Sequence, residues 1–166
     1  MAAPSPGAMH PSFKNDLVAL LPDLRAFSRF LCRERIAADE LVQNTVVVAL
    51  SKHAQFEPGT NLKAWLFAIV RSQFYSSLRS ARRRTAIVEA GETENAPGVD
   101  RADRSSDLID FSRALWRLSA EYREALMLVG ACGFSYQEAA TVCGCGLGTM
   151  KARVSRARRQ IAEALA

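Results

Sequence analysis

The chain has 166 residues, and 22 lysines and arginines against 17 acids give it a net charge of +5 and a pI near 9.3. Its apolar fraction of 49% is ordinary for a globular protein and excludes a chain that is disordered throughout. No apolar run approaches the roughly 18 residues of a membrane-spanning helix, and residues 1–12 lack the basic start and apolar stretch of a signal peptide. We therefore expect a cytoplasmic protein with no membrane segment, and nucleic acid is the first partner to consider.

The first half of the chain shows helical spacing throughout. Pro22 lies inside the first apolar pattern, so we predict that one helix ends there and another begins with Pro22 in its first turn. A second pattern runs from Ala37 to Lys52. After a loop marked by Pro58-Gly59, a helix beginning near Leu62 carries apolar residues at i, i+3, i+4 and i+7.

The second half is predicted to be helical as well, over residues 108–118 and 120–131. A capping box between Ser135 and Glu138 then starts a short helix, which ends before the glycines of a tight turn. A final helix follows over 147–164. Because no segment alternates as a strand, we predict an all-α fold.

Charge divides the chain into blocks. Between residues 60 and 84 six basic residues occur without an acid, and five basic residues oppose one acid after residue 142. Between residues 85 and 110 seven acids face two arginines, in a stretch too poor in large apolar residues to offset its ordering entropy. We predict a disordered tail over 1–12, two small helical domains over 13–84 and 108–166, and an acidic flexible linker over 85–107.

The end of the second domain has the pattern of a helix-turn-helix: a short capped helix, a turn with glycine and a basic second helix. The apolar residues of that second helix are Met150, Val154, Ala157 and Ile161, and its basic residues point away from them. In such motifs the second helix enters the major groove. A basic face can also be merely solvated, but the cap and the turn favour DNA binding.

A second candidate surface lies on the helix that begins near Leu62. Basic and aromatic side chains alternate there every four residues, as Lys63, Phe67, Arg71, Tyr75 and Arg79. Cations beside stacking rings suit single-stranded nucleic acid. The two rings could equally extend the core, but the row leads into Arg82-Arg83-Arg84, which favours nucleic-acid binding.

Residues suited to metals or catalysis are scarce. The four cysteines and two histidines show none of the spacings of structural zinc sites. Cys143 and Cys145 form a C-x-C pair that could bind a metal or act in redox chemistry, although small residues of this kind also fill tight turns, which is the interpretation we favour. No nucleophile elbow, phosphate loop or HExxH motif is present. We predict no enzyme, no catalytic residue, no metal and no cofactor.

Several motifs resemble the extracytoplasmic-function (ECF) class of sigma-70 factors, over nearly the whole chain. They are Asp39-Glu-Leu-Val-Gln-Asn-Thr45, Trp65-Leu66 and the string from Gly148 to Arg158. Finer strings resemble the subgroup that directs the bacterial general stress response. These are Phe56–Phe67, Phe74–Ser76, Gly133–Ala140 and Cys143-Gly-Cys145.

The resemblance implies three sites on two partners, core RNA polymerase and promoter DNA. The first domain would dock on the clamp helices of the β′ subunit through Asp39, Glu40, Leu41, Gln43 and Asn44. It would read and melt the −10 element through the loop over 53–62 and through Asn61, Lys63, Phe67, Arg71, Tyr75 and Arg79. The second domain would sit on the β flap and read the −35 element through Thr149, Lys151, Ala152, Arg153, Arg156 and Arg159.

The resemblance also implies a regulator, a small helical anti-sigma factor that is itself captured by a response regulator with a sigma-like domain. The chain departs from the family pattern at Asn44, where an acid is usual, and at Val46–Val48, so its docking helix is more apolar than expected. Ala152 stands where serine is common, and Ser119 replaces a proline but can still cap a helix. A stand-alone helix-turn-helix regulator and a sigma-like decoy remain as alternatives. The basic final helix argues against a decoy.

Overall fold

The computed structural model describes residues 11–85 and 106–166, which belong to two compact units. The helices are α1 Pro11–Cys32, α2 Arg35–Ser51, α3 Leu62–Thr85, α4 Ser106–Arg117, α5 Ala120–Gly130, α6 Tyr136–Cys143 and α7 Leu147–Leu165, with a 3-10 turn at His53–Gln55. The described residues contain no strand, which confirms the all-α prediction. The tail predicted over 1–12 and the linker predicted over 85–107 lie almost entirely outside the described residues.

In the first unit α1, α2 and α3 pack against one another in pairs. Leu24 and Phe27 of α1 and Leu66, Phe67 and Val70 of α3 are completely buried. Because each such side chain contributes roughly 1.5–3 kcal/mol on burial, these five residues supply much of the stability of this small bundle.

Helix α1 continues through Pro22, so the predicted break at this residue is wrong. Pro22 is exposed, whereas Leu17 and Leu24 on either side of it are buried in the same bundle. A proline inside a helix costs about 3 kcal/mol, and the burial of Leu17, Leu24 and Phe27 outweighs that cost. The apolar face of the helix therefore decides its length.

In the second unit α4, α5 and α6 all pack on α7. One core cluster joins Ala114 and Leu118 to Ala157 and Ile161 of α7, and Tyr122 packs against it. Helix α5 is capped as predicted, since the Ser119 hydroxyl accepts a hydrogen bond from the Tyr122 amide at 3.4 Å. The packing leaves the outer face of α7 exposed.

Candidate nucleic-acid interface

The helix-turn-helix predicted from the sequence is present as α6, a turn and α7. Both bonds of the capping box form: the Glu138 amide donates to Ser135 Oγ at 3.2 Å, and the Ser135 amide donates to Glu138 Oε2 at 2.8 Å. Gly144 ends α6 in the left-handed region, at φ +63° and ψ +37°. A residue without Cβ adopts this conformation at no steric cost, so the glycine fixes the angle at which α7 leaves the turn.

Helix α7 has one buried face and one exposed face, as its sequence predicts. The buried side chains are Met150, Val154, Ala157 and Ile161. The exposed residues include Thr149, Lys151, Ala152, Arg156 and Arg159. This face joins cations to short side chains that allow close approach to a base edge, which is suitable for the major groove.

Arg153 is placed differently from the other cations of α7. Its side chain is only 19% exposed, and its Nη2 lies 3.1 Å from Oε2 of Glu121 in the first turn of α5. Arg156 donates to the hydroxyl of the neighbouring Tyr122 at 3.4 Å and remains exposed. Arg159 lies on the outer face, with Glu163 at 3.8 Å. Of the predicted contacts on α7, Arg153 is therefore the one whose side chain is mostly buried.

The row of alternating cations and rings on α3 is not one continuous surface. Phe67 is completely buried and stacks on Phe27, so the prediction that its ring meets DNA is wrong in this structure. A spacing of four residues advances about 40° around a helix at each step. The row consequently winds from the core side at Phe67 to the exposed side at Arg79.

The outer part of that row keeps the predicted pairing of cation and ring. The Arg71 guanidinium lies 4.7 Å from the centre of the Tyr75 ring, and the Phe74 ring meets Tyr75 edge-on at 5.3 Å. These three side chains are half-buried and Arg79 is exposed. An aromatic ring held by a guanidinium and a second ring offers a rigid platform for a stacked base.

At the start of α3, two predicted DNA residues also bond within the protein. Asn61 Oδ1 accepts the Ala64 amide at 3.0 Å and thereby caps the helix. Lys63 Nζ lies 2.8 Å from Asp23 Oδ2 of α1 and 5.7 Å from the centre of the Phe67 ring. Both residues border the loop that precedes α3, where a −10 base was predicted to bind.

That loop is anchored by a cluster of aromatic rings. The rings of Phe13, Phe56 and Trp65 lie 5.4–6.2 Å from one another, so the loop is tied to both α1 and α3. His53 at its start bonds the Leu50 carbonyl through Nδ1 at 2.8 Å. Aromatic pairs of this kind add about 0.5–1.5 kcal/mol each beyond burial, and here they fix the loop in place.

Helix α2 exposes most of the predicted docking residues. Glu40, Gln43 and Asn44 are exposed and Asp39 is half-buried, but Leu41 is 7% exposed and belongs to the core. A direct contact from Leu41 to a partner is therefore a wrong prediction for this structure. The same helix exposes Ile36 and Val47, at 75% and 65%.

Among the described residues, no group of three or more histidines, cysteines and acids could hold a metal ion, and no helix is long and apolar enough to cross a membrane. Cys143 is buried and Cys145 half-buried, in keeping with a role in packing the turn. Burial raises the pKa of the Cys32 thiol, which lowers its share of reactive thiolate.

Both units match known protein families. Residues 108–161 match the family described as Sigma-70, region 4, and residues 17–71 match the Sigma2 domain of PhyR. The ECF RNA polymerase sigma factor EcfG of Rhodopseudomonas palustris (strain TIE-1) is 41% identical over 154 residues, which are 93% of this chain and 85% of that protein. The chain belongs to the ECF family of RNA polymerase sigma factors. The prediction from the sequence motifs is confirmed.

Two of the similar solved structures illustrate the fold of this ECF sigma factor. The sigma factor RpoE, in its co-crystal structure with the anti-sigma factor NepR from Bartonella quintana, is 45% identical with a TM-score of 0.79, covering 94% of this chain and 98% of that one. The PhyRSL–NepR complex from Sphingomonas sp. Fr1 is 21% identical with a TM-score of 0.68, covering 90% and 86% of the two chains. This second likeness concerns the fold alone.

Sequence reasoning missed the acidic and aromatic partners of the predicted DNA residues in this sigma factor. Asp23 holds Lys63, and Glu121 and Tyr122 meet Arg153 and Arg156. Each partner stands more than thirty residues away in the chain, and no local pattern links them. Only the position of Glu121 has a local explanation, because the helix dipole favours acids in the first turn of a helix.

Proposed function

We propose that this sigma factor directs core RNA polymerase to promoters with −35 and −10 elements in the general stress response. The observation that carries the proposal is the capped helix-turn-helix, whose second helix exposes Thr149, Lys151, Ala152, Arg156 and Arg159 on one face. A capped, glycine-bounded α6 holds this face at a fixed angle, as reading base edges requires. The −35 element is read here.

The first unit binds the −10 element and docks on core polymerase. The loop held by Phe13, Phe56 and Trp65 offers a fixed frame for an unstacked base, and the Arg71–Tyr75 pair offers a stacking surface further along α3. The exposed polar residues of α2 and its apolar Val47 form the face that docks on the β′ clamp helices. The second unit docks on the β flap.

A small helical anti-sigma factor controls this activity. The relative RpoE was solved with such a protein, NepR, and shares 45% of its residues with this chain. Helix α4 exposes Leu108, Ile109 and Phe111, at 55%, 40% and 42%. Apolar side chains in this density on one short helix suit an amphipathic helical partner. A response regulator with a sigma-like domain releases the sigma factor by capturing the inhibitor.

The protein acts by binding in the cytoplasm and has no catalysis of its own. Its cations and rings recognise DNA, and bond formation belongs to the polymerase. No cofactor is required. Its binding partners are promoter DNA and core RNA polymerase.

A sigma-like decoy is the second candidate, because the first unit matches the Sigma2 domain of PhyR. A decoy would bind the anti-sigma factor and would not bind DNA. The exposed cations of α7 favour the sigma factor, since binding an anti-sigma factor does not require a DNA-reading face.

Transcription in vitro tests the proposal. Core polymerase is mixed with the full chain and with promoter fragments that carry intact or scrambled −35 and −10 elements. We expect transcripts only when the chain and both intact elements are present, and their loss when a NepR-type inhibitor is added. A chain that binds the inhibitor but yields no transcript would be a decoy.

A further inference from the structure

The first turn of α5 makes two successive contacts with α7. Glu121 forms an ion pair with Arg153 at 3.1 Å, and the Tyr122 hydroxyl accepts a hydrogen bond from Arg156 at 3.4 Å. The two arginines are three residues apart and therefore lie on adjacent turns of one side of α7. Two neighbouring residues of one helix thus contact two neighbouring positions of the other.

Arg153 does not lie on the face that α7 presents to solvent. Ala152 and Arg159 are seven residues apart, which places them within about 20° of each other around the helix, whereas Arg153 lies about 100° from Ala152. The Arg153 side chain is 19% exposed, against 68% for that of Arg159. Its position is at the border between the core face and α5.

We propose that Arg153 is a positioning residue rather than a DNA contact, and that Glu121 and Tyr122 set the rotation of the recognition helix about its own axis. The proposal rests on the proposed reading of the −35 element by α7. It assigns to Arg153 a partner inside the protein, and it leaves Thr149 and Arg156 among the residues that meet the groove.

The chemistry of the two contacts differs in a way that fits these roles. The Glu121 carboxylate competes with a phosphate for the Arg153 guanidinium, because it lies 3.1 Å away on the same protein. The Tyr122 hydroxyl is neutral, so it orients Arg156 and leaves its full charge available for DNA. One arginine is thereby used for structure and the other for recognition.

The first turn of α5 is itself well fixed. The Ser119 hydroxyl caps it, and the Tyr122 ring packs against the core cluster that includes Ala157 and Ile161 of α7. A helix start that frayed could not hold a neighbour in register, whereas one tied by a cap and a packed ring can. The helix dipole also stabilises the Glu121 carboxylate in this first turn. A control variant in the first turn of another helix separates that effect from the contact with Arg153.

The test uses holoenzyme assembled from the full chain and core polymerase, bound to promoter fragments with an intact or a scrambled −35 element over a series of salt concentrations. Two quantities are measured, the affinity ratio between the two fragments and the slope of log affinity against log salt. A lost phosphate contact lowers the slope by about one. Lys151→Gln provides that reference, and Asp107→Asn is the matched control for Glu121, because it removes an exposed acid from the first turn of another helix.

We expect Arg153→Gln to leave the salt slope unchanged and to lower the affinity ratio about fivefold, the effect of a surface ion pair near its upper limit. Glu121→Gln keeps Arg153 in place and should lower the ratio similarly without lowering the slope. The double variant with Glu121→Gln and Arg153→Gln should lower the ratio no further than either change alone, because both changes remove the same contact. Tyr122→Phe, which keeps the packed ring, should lower the affinity ratio by less than Glu121→Gln does.

A fall in slope for Arg153→Gln equal to that of Lys151→Gln would overturn the proposal, because Arg153 would then contact a phosphate. Additive losses in the double variant would overturn it as well, since the contact with Glu121 would then have no role. If the unaltered holoenzyme does not distinguish the two fragments, the proposed function fails rather than this assignment.

Discussion

The ring of Phe67 stacks on that of Phe27, with centroids 4.7 Å apart and planes inclined by 23°. Both side chains are completely buried between α1 and α3. The cation-and-ring row on α3 therefore has a structural inner end at Phe67 and an accessible outer end from Arg71 to Arg79. Substitutions at the two ends of this row on α3 should therefore affect protein stability and DNA melting separately.

Replacing Phe67 by alanine should destabilise the first unit by about 3–5 kcal/mol, since the change leaves a cavity beside Phe27. Tyr75→Ala should cost about 1 kcal/mol at most, because Tyr75 is half-buried, yet it should impair melting of the −10 element. Urea unfolding measures the first quantity and permanganate reactivity of promoter thymines the second. Unchanged stability in Phe67→Ala would show that its ring is not part of the core.

The ion pair between Asp23 and Lys63 competes with any phosphate for the lysine. Asp23→Asn should raise the affinity for a −10 single strand and steepen its salt dependence by up to about one unit. Asp16→Asn is the matched control, because it removes the same charge from an exposed position on the same helix. Fluorescence anisotropy of a labelled oligonucleotide distinguishes the two. Equal effects of both variants would indicate a general change in charge instead of release of Lys63.

Much of the fold could be predicted from local patterns, because local forces decide those elements. The capping box of Ser135 and Glu138 joins groups three residues apart, and the structure contains both of its bonds. Pro22 misled the prediction because its local penalty is smaller than the burial on either side of it. The site prediction named four cations of α7 but lacked Glu121, which pairs with one of them, since contacts between α5 and α7 arise only on folding.

Two glycines near the turn of the helix-turn-helix should respond to alanine with opposite signs. Gly144 has φ +63°, and nothing lies within 4 Å of an added Cβ, so Gly144→Ala should destabilise the second unit by about 1–2 kcal/mol through backbone strain alone. Gly148 lies within α7 with equal space, so Gly148→Ala should stabilise it by about 0.5–1 kcal/mol. Thermal unfolding of the two variants checks both signs. A Gly144→Ala variant at least as stable as the unaltered chain would contradict the left-handed turn.

The Thr45 hydroxyl is buried in the first unit without a hydrogen-bond partner among the described residues. Leaving such a group unsatisfied costs about 1–3 kcal/mol, and valine has nearly the same shape. Thr45→Val should therefore stabilise the protein, by about 1 kcal/mol. Denaturant titration provides the measurement, with Thr149→Val as a control for the intrinsic effect of the substitution at an exposed helical position. A loss of stability confined to Thr45→Val would show that its hydroxyl is satisfied.

We expect one chain to bind two separate promoter elements while it is bound to core polymerase. Footprinting of the holoenzyme on one promoter fragment tests this claim most directly, with DNase protection read over the −35 element and permanganate reactivity over the −10 element. We expect protection and reactivity together, with Lys151→Ala and Arg156→Ala reducing the first and Tyr75→Ala reducing only the second. A holoenzyme that forms but shows neither signal would contradict the account.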